Sequence, residues 1–487
     1  MAHDKIYVTK IDEVKSRVRA SASVKHDISD LFTFEVPGAK FMPKVKAGVW
    51  DGKIRLYNIR DESIYTGLLP QIKQYAEDAG ITFKYDYTMR IPTPSPEEID
   101  EFIEHALDHH EHNFREYQEE CVRDCLSRQR AINEVPTGAG KSLIIGVLAR
   151  FYVNQGLKVL IVAPRVGLVN QLAEEGLEEY GNLTEEDFHI IKAKAKKQSD
   201  KQVFVSTWQS IQKQPKKYFE QFDVVMGDEV HEFEAPTLVG IMEKSSNAAI
   251  RLGFTGSLKD AVTHLLTLTG TFGPIKKYTS LRELIDDKTL SAVSIHCLVL
   301  KHKPTSKIAS YEDEVSYIIA NERRNKFIRN LAWREAEKGN VLVLFHRKEK
   351  HGHILNELIS DTKKYEVFYV DGDINIDVRD AHRKYMDTKS KGVIGVVSFG
   401  TFSMGTNITN VSSVILGSPT KSKTKLLQTL GRGVRRSEEF DHLDFYDLAD
   451  DFRASSKSAN FTLNHFLERV SQYDDQKLEY TLHNLRY

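Results

Sequence analysis

A lysine and a serine close a glycine-rich turn in the segment PTGAGKS, residues 136–142. It follows the short apolar stretch AINEV and precedes the apolar run LIIGVLARFYV. Strand, loop and helix in that order are what a phosphate cradle requires. Gly138 and Gly140 let backbone N–H groups approach phosphate oxygens, and the N-terminus of the next helix favours an anion. Pro136, Thr137 and Ala139 complete the loop. Lys141 is placed to reach β- and γ-phosphates, and Ser142 to ligate Mg²⁺. The expected chemistry is therefore binding and hydrolysis of ATP with Mg²⁺. The general pattern GxxxxGK[ST] asks for glycine at 135, where this chain has Val135.

Two acids follow the apolar segment FDVVMG, Asp228 and Glu229. Carboxylates at the carboxyl end of a parallel strand lie where such sheets bind ligands. Asp228 is expected to hold Mg²⁺ through water, and Glu229 to orient and deprotonate the attacking water. In isolation the pair would read as two solvated turn acids. The phosphate loop ahead of it changes that reading.

The elements that position these groups alternate. Apolar runs at KVLIVAP (158–164), QVFVSTW (202–208), FDVVMGDE (222–229) and RLGFTGS (251–257) are separated by helical segments. Runs of this length suit buried parallel strands. The pattern returns in NVLVLFH (340–346), YEVFYVDG (365–372), GVIGVVSFG (392–400), SSVILGS (412–418) and FDHLDFYDLAD (440–450). The fold class is α/β, with two similar parallel-sheet halves in tandem. Their join falls near 280–300, where LRELIDDKTL runs into VSIHCLVL. NHFLERVSQYDD predicts a C-terminal helix packed on the second half. The Pro/Ser cluster at 92–96 reads as a linker leading into a short helix. The expected domains are 1–112, 113–285 and 286–487, the first a small α+β module.

Composition narrows the class. The 68 Lys+Arg nearly cancel the 69 Asp+Glu, so any basic surface is local. No long uncharged apolar run is suited to crossing a membrane, and MAHDKIYVTKIDEVK lacks the apolar core of a signal peptide. Three cysteines without a CxxC pair suit reduced thiols, and Cys121 and Cys125 read as core positions on a helix. The expected location is cytoplasmic.

Taken in order, the motifs resemble those of superfamily 2 DExH-type helicases. The loop PTGAGKS, with its non-glycine at 135, is that superfamily's variant, and DEVH (228–231) resembles its DEAH-like box. FREYQ (114–118) is similar to its adenine-recognition element, implying that Gln118 pairs with the adenine edge and Arg115 stacks on the base, with Tyr117 as packing. APRVGLVNQ (163–171) and VSTWQS (205–210) resemble nucleic-acid-contact motifs, which implies roles for Pro164, Arg165, Thr207 and Trp208. TGS resembles the motif coupling hydrolysis to strand movement: Thr255, Gly256 and Ser257, with His231 beside them. LFHRKEKHG (344–352) is a looser match to the fourth motif, and YVDGDI (369–374) with Arg379 resembles the next. SFGTFSMGTNI (398–408), with Gly405 at the nucleotide, looks like motif V. QTLGRGVRR (428–436) looks like motif VI, placing Gln428, Gly431, Arg432 and Arg435 on QxxGRxxR. The resemblance implies RecA-like halves, Arg435 as arginine finger and Arg432 as second cation. A cation supplied by the second half would tie hydrolysis to closure. With the segment FMPKVKAGVWDGKIRLYN ahead of the motor, the whole set is most similar to UvsW-type phage helicases.

That front segment also has a reading of its own. Residues 1–60 hold twelve Lys/Arg against seven Asp/Glu, a local excess of five. Asp51-Gly52 between alternating runs predicts a hairpin. Alternation would put Lys53, Arg55 and Tyr57 on one face, with Ile54 and Leu56 on the other, and Lys44 and Lys46 together. With Trp50 this suits phosphate contact and stacking. An ordinary half-solvated hairpin with Trp50 in its core fits the same pattern, and the positive charge tips the balance toward nucleic acid. His105, His109, His110 and His112 suit a solvated linker helix better than a metal site, since no second ligand pair accompanies them. KAKAKKQSDK (192–201) reads as an exposed loop.

The expected function is an ATP-dependent DNA helicase or translocase acting in phage replication, recombination and repair. Its expected cofactors are ATP and Mg²⁺. Its expected substrates are forks, Holliday junctions, R-loops and RNA–DNA hybrid, and its expected state a monomer. An RNA helicase, or a duplex translocase without strand separation, would carry the same motor motifs. A passive annealing protein would not need Lys141, Asp228, Glu229, Arg432 and Arg435 together.

Overall fold

The structure is a computed structural model and describes residues 5–36, 38–86, 88–191, 197–232, 235–256, 258, 265–303, 308–403, 410–420, 442–453 and 459–485. The chain divides into two compact units, one of residues 1–135 and 140–278, the other of residues 136–139 and 279–487.

The first unit opens with six strands: β1 (Lys5–Lys10), β2 (Lys15–Arg19), β3 (Thr33–Glu35), β4 (Lys53–Arg55), β5 (Ser63–Tyr65) and β6 (Thr82–Asp86). Four of them form a mixed sheet in the order β5-β2-β1-β6, in which β1 and β6 are parallel. Alternation turns Ile6, Val8 and Val18 inward, against helices Ala22–Leu31 and Leu69–Asp78.

Strands β3 and β4 make a separate antiparallel ribbon, which corrects the expected hairpin. Asp51-Gly52 does not turn between two strands, because Pro43–Lys46 is a short helix opened by proline. Lys44 and Lys46 are therefore exposed on a helix. Tyr57 leaves the basic face for the core, where its hydroxyl donates to the Val18 carbonyl at 2.8 Å. Trp50 is half-buried and donates its indole N–H to the Lys53 carbonyl at 3.0 Å.

The Pro/Ser stretch does lead into a helix, Pro96–His105, closed at its start by a Ser95/Glu98 capping box. The helix ends at His105, so His109 is not one turn further along it. His105 meets Asp108, while His109 and His110 reach Glu179.

Seven parallel strands follow: β7 (Arg130–Glu134), β8 (Val159–Ala163), β9 (Phe188–Ile191), β10 (Val203–Thr207), β11 (Val224–Gly227), β12 (Ile250–Thr255) and β13 (Ile275–Lys277). Their order is β13-β7-β12-β11-β8-β10-β9. The helix Lys141–Asn154 after the glycine loop is apolar nearly all round and correspondingly buried. Cys121 and Cys125 are buried on helix Glu116–Arg128, as expected for core positions.

The second unit repeats the plan with β14 (Ala292–Lys301), β15 (Val341–Phe345), β16 (Glu366–Val370), β17 (Val393–Ser398), β18 (Ser413–Leu416), β19 (His442–Asp451) and β20 (Tyr480–Leu485), again all parallel. The order is β16-β17-β15-β18-β19-β14-β20. The expected C-terminal helix is Phe461–Asp475. The edge strand after it was not expected, because its sequence is polar and its residues are largely exposed. The α/β class, with two seven-stranded parallel sheets and a small α+β module in front, is the expected one. Among the described residues, no helix is long and apolar enough to cross a membrane.

Candidate active site

Buried parallel strands leave their carboxyl ends free to present polar side chains, and β11 ends in Asp228 and Glu229. Both acids are buried. Glu229 has φ 47°, the left-handed region that costs a non-glycine residue about 1–3 kcal/mol and persists where surroundings over-determine it. Its amide donates to Asp228 Oδ1 at 3.0 Å, so the two carboxylates are held in fixed relation.

Glu229 collects three partners within the first unit. Lys141 Nζ lies 3.0 Å from Oε1. The Gly256 amide donates to Oε2 at 3.2 Å, and His231 Nδ1 sits 3.4 Å from the same oxygen. His231 Nδ1 is also 2.6 Å from Thr255 Oγ1, at the end of β12. Lys141 additionally donates to the Val135 carbonyl at 3.3 Å. The phosphate-loop lysine, the box acid and histidine, and the TGS segment are thereby joined in one set of contacts.

The two acids are driven apart electrostatically. Burial would raise Glu229, but attraction from Lys141 and His231 outweighs it and keeps the carboxyl below the usual range. Burial, then the neighbouring Glu229 charge, pushes Asp228 up despite Lys141. Glu229 is thus the ionised member, suited to accept a hydrogen bond from water and orient it. Asp228 is a buried carboxylate short of positive charge, which suits a divalent cation. No group of three or more His, Cys, Asp or Glu side chains is placed to hold a metal among the described residues. Asp228 and Ser142 are the residues that would hold a cation here, and it would supply charge to offset that of phosphate.

The nucleotide-side residues fall as follows. Pro136, Thr137, Gly138 and Ala139 lead from β7 toward Gly140, Lys141 and Ser142 at the start of the buried helix. Gly138 and Gly140 have φ 86° and 85°. A Cβ at Gly140 would collide with the Gln118 amide, so the loop and the FREYQ element are in direct contact. Gln118 is buried and accepts from the Arg115 amide at 3.0 Å. Arg115 is exposed and Tyr117 buried.

The expected nucleic-acid contacts divide. Arg165 is paired with Glu232 at 3.0 Å. Buried Pro164 accepts from the exposed Gln209 side chain at 3.2 Å, joining two of the motifs. Thr207 is buried and bonded to Ser210 at 2.9 Å. Trp208 packs against the hydrophobic core. Gln209 and Glu232 went unremarked in the sequence, although each adjoins a motif residue. Lys53 and Arg55 are exposed on β4, Arg55 paired with Asp51.

In the second unit, Arg379 donates to the Ile374 carbonyl at 2.9 Å, and Ser398 and Thr401 share a 2.8 Å bond at the start of the motif V segment. Ser257, Gly405, Gln428, Gly431, Arg432, Arg435 and the lysines of 192–196 lie outside the described residues.

Comparison with known proteins covers most of the chain. Residues 5–86 match the family model "DNA helicase UvsW, N-terminal", residues 111–260 "Type III restriction enzyme, res subunit", and residues 322–437 "Helicase conserved C-terminal domain". The ATP-dependent DNA helicase uvsW of Enterobacteria phage T4 is 31% identical over 490 residues, covering 96% of each chain. The crystal structure of T4 UvsW aligns over 99% of both chains with a TM-score of 0.52 and 30% identity. A fragment of a putative HsdR subunit of a type I restriction enzyme from Vibrio vulnificus YJ016 shares the fold, with a TM-score of 0.56 at 18% identity over 87% of this chain and 83% of that one.

Proposed function

The chain belongs to the UvsW family of DNA helicases, and on that premise we propose that it is an ATP-driven motor that unwinds or branch-migrates branched DNA and R-loops. The observation that carries this reading is the set of contacts from Lys141 through Glu229 to His231 and Thr255. It ties the group that senses the terminal phosphate to the strand end carrying the coupling motif, so gain or loss of phosphate is felt at β12.

Lys141 neutralises phosphate charge, Glu229 orients water for in-line attack, and Gln118 with Arg115 selects adenine. Ser142 and Asp228 would hold Mg²⁺, which when bound supplies charge neutralisation at the phosphates. Arg435, with Arg432 and Gln428, is proposed as the transition-state cation, Gly405 as a nucleotide contact, and Arg165 and Thr207 as strand contacts. The functional divisions proposed are 1–112, 113–285 and 286–487. The proposed partners are forks, Holliday junctions and R-loops, met as a monomer in the host cytoplasm. An RNA helicase or a non-separating duplex translocase would carry the same motor motifs, but kinship to a DNA helicase favours neither.

A strand-displacement panel of forks, Holliday junctions, R-loops and RNA duplexes, with and without ATP, tests it. Displacement of branched DNA above RNA duplex is expected, with hydrolysis stimulated by DNA and weakened by salt. Preference for RNA duplex, or hydrolysis indifferent to DNA, would refute it.

A further inference from the structure

The front module carries an exposed feature that the ATP site does not use. Between β3 and β4 the chain makes an excursion of its own, described over residues 36 and 38–52. It is folded rather than loose: the Val36 amide donates to the Gly52 carbonyl at 2.9 Å, and the Val49 and Trp50 amides both donate to the Lys44 carbonyl, at 3.0 and 3.2 Å. Ala39 is buried inside it.

Its outside is apolar where a solvated tip would be polar. Phe41 is 68% exposed, Val49 77% and Met42 40%, with Ile54 at 38% on the adjoining strand. Cations accompany them: Lys40, Lys44, Lys46, Lys53 and Arg55, against two acids, Asp51, which Arg55 already holds, and Glu35, which sits opposite Lys53 across the ribbon. Lys40 lies over the Phe41 ring at 5.1 Å. Exposed aromatic and aliphatic side chains interspersed in sequence with exposed lysines fit a polyanion that also offers flat apolar faces. Stacked bases between phosphates are such a partner, and apolar wedges set between base steps unstack them.

The tip is mounted on a module that is hydrogen-bonded to and packed against the first parallel sheet. Buried Glu13 accepts from Arg130 of β7 at 3.1 Å, and Arg130 also donates to the Glu13 carbonyl at 2.7 Å. Tyr65 donates to Glu243 at 2.8 Å. A Cβ at Gly67 would collide with the backbone of Thr269 and Gly270, so helix Leu265–Phe272 lies directly against the module.

We propose that this tip is the wedge that opens a DNA branch point. Phe41 and Val49 press on the terminal base pair, with Met42 beside them, while Lys40, Lys44 and Lys46 grip the flanking phosphates. This rests on the reading of the chain as a motor for branched DNA.

The test compares the full-length chain with two double variants, Phe41→Ser with Val49→Ser, and Lys44→Gln with Lys46→Gln. The probe is a DNA fork with 2-aminopurine at the junction base pair. Its fluorescence is read without ATP, its displacement with ATP, and hydrolysis stimulated by single-stranded DNA serves as the control. The apolar variant should keep fork affinity and stimulated hydrolysis, lose the junction fluorescence rise, and displace forks about tenfold more slowly. The lysine variant should bind forks more weakly, with a salt slope smaller by about two. Wild-type displacement by the apolar variant, as expected if the patch served another protein, would overturn the wedge. So would a fall in displacement that merely tracked lost affinity. Failure of the wild-type chain to displace any fork would instead overturn the motor reading, and the two failures are distinct.

Discussion

Both parallel sheets carry buried acids near their centre, just past the middle strand β11 in the first and on β19, next to the middle, in the second, and the two sets are balanced in opposite ways. In the second unit, Asp447 receives Arg469 at 2.7 and 2.9 Å and the Tyr473 hydroxyl at 2.8 Å. Asp450 receives Arg324 at 2.8 and 3.1 Å and contacts His302 at 2.7 Å. Burial works against the Asp450 carboxylate, yet Arg324 and His302 hold it below the usual range. In the first unit, Glu229 is satisfied but Asp228 is left raised by burial and by its neighbour. Completed charge pairs build structure, whereas an acid left short of cation is where an incoming ligand can act.

The largest effect that would sharpen this contrast is on chemistry. Glu229→Gln should lower DNA-stimulated ATP hydrolysis by roughly 10²–10⁴-fold, the range for losing a general base, while nucleotide binding by fluorescence titration is kept. Hydrolysis within a fewfold of wild type would break the assignment.

The mirror experiment in the second unit should cost stability and not chemistry. Asp447→Ala strands the buried Arg469 and should destabilise that unit by about 3–5 kcal/mol in urea unfolding, with hydrolysis per folded molecule unchanged. The Asp450 pair adds a pH signature. Its carboxyl titrates lower when folded than when unfolded, so its stabilisation is complete above the unfolded value, about 3.9, and is lost as pH falls toward the folded one. Acid unfolding followed by circular dichroism should show this, and Asp450→Asn should flatten that part of the curve.

A smaller effect belongs to the coupling contact. Thr255→Val removes one of the partners of His231, and the loss of one such bond, about 1.5 kcal/mol, should lower DNA stimulation of hydrolysis roughly tenfold. Basal hydrolysis should change less. Equal loss of both rates would make Thr255 part of the chemical step rather than of its coupling.

Much of this was legible from residue order. PTGAGKS needed only its flanking apolar runs, because loop and helix are contiguous in the chain. The strand runs at 158–164 and 222–229 were read to within a few residues, since buried parallel strands are continuously apolar. Short or polar edge strands such as β9, β13 and β20 lack that signal. The fork from Glu229 to Lys141, His231 and Gly256 joins segments far apart in sequence, and no local pattern reports its distances. The Asp51-Gly52 hairpin is not formed because Pro43 starts a helix where alternation suggests a strand, and Tyr57 enters the core because β4 ends at Arg55, so strand alternation does not extend to it. Trp208 reads as a contact residue in its motif, and the sequence does not report that part of its ring packs on the hydrophobic core.

The most direct test of the central claim is fork displacement by the wild-type chain and by Lys141→Ala at matched DNA occupancy. ATP-dependent displacement by the wild type, lost in the variant while fork binding is unchanged, is the predicted result. Displacement that survives Lys141→Ala would contradict an engine built on the Lys141–Glu229 pair.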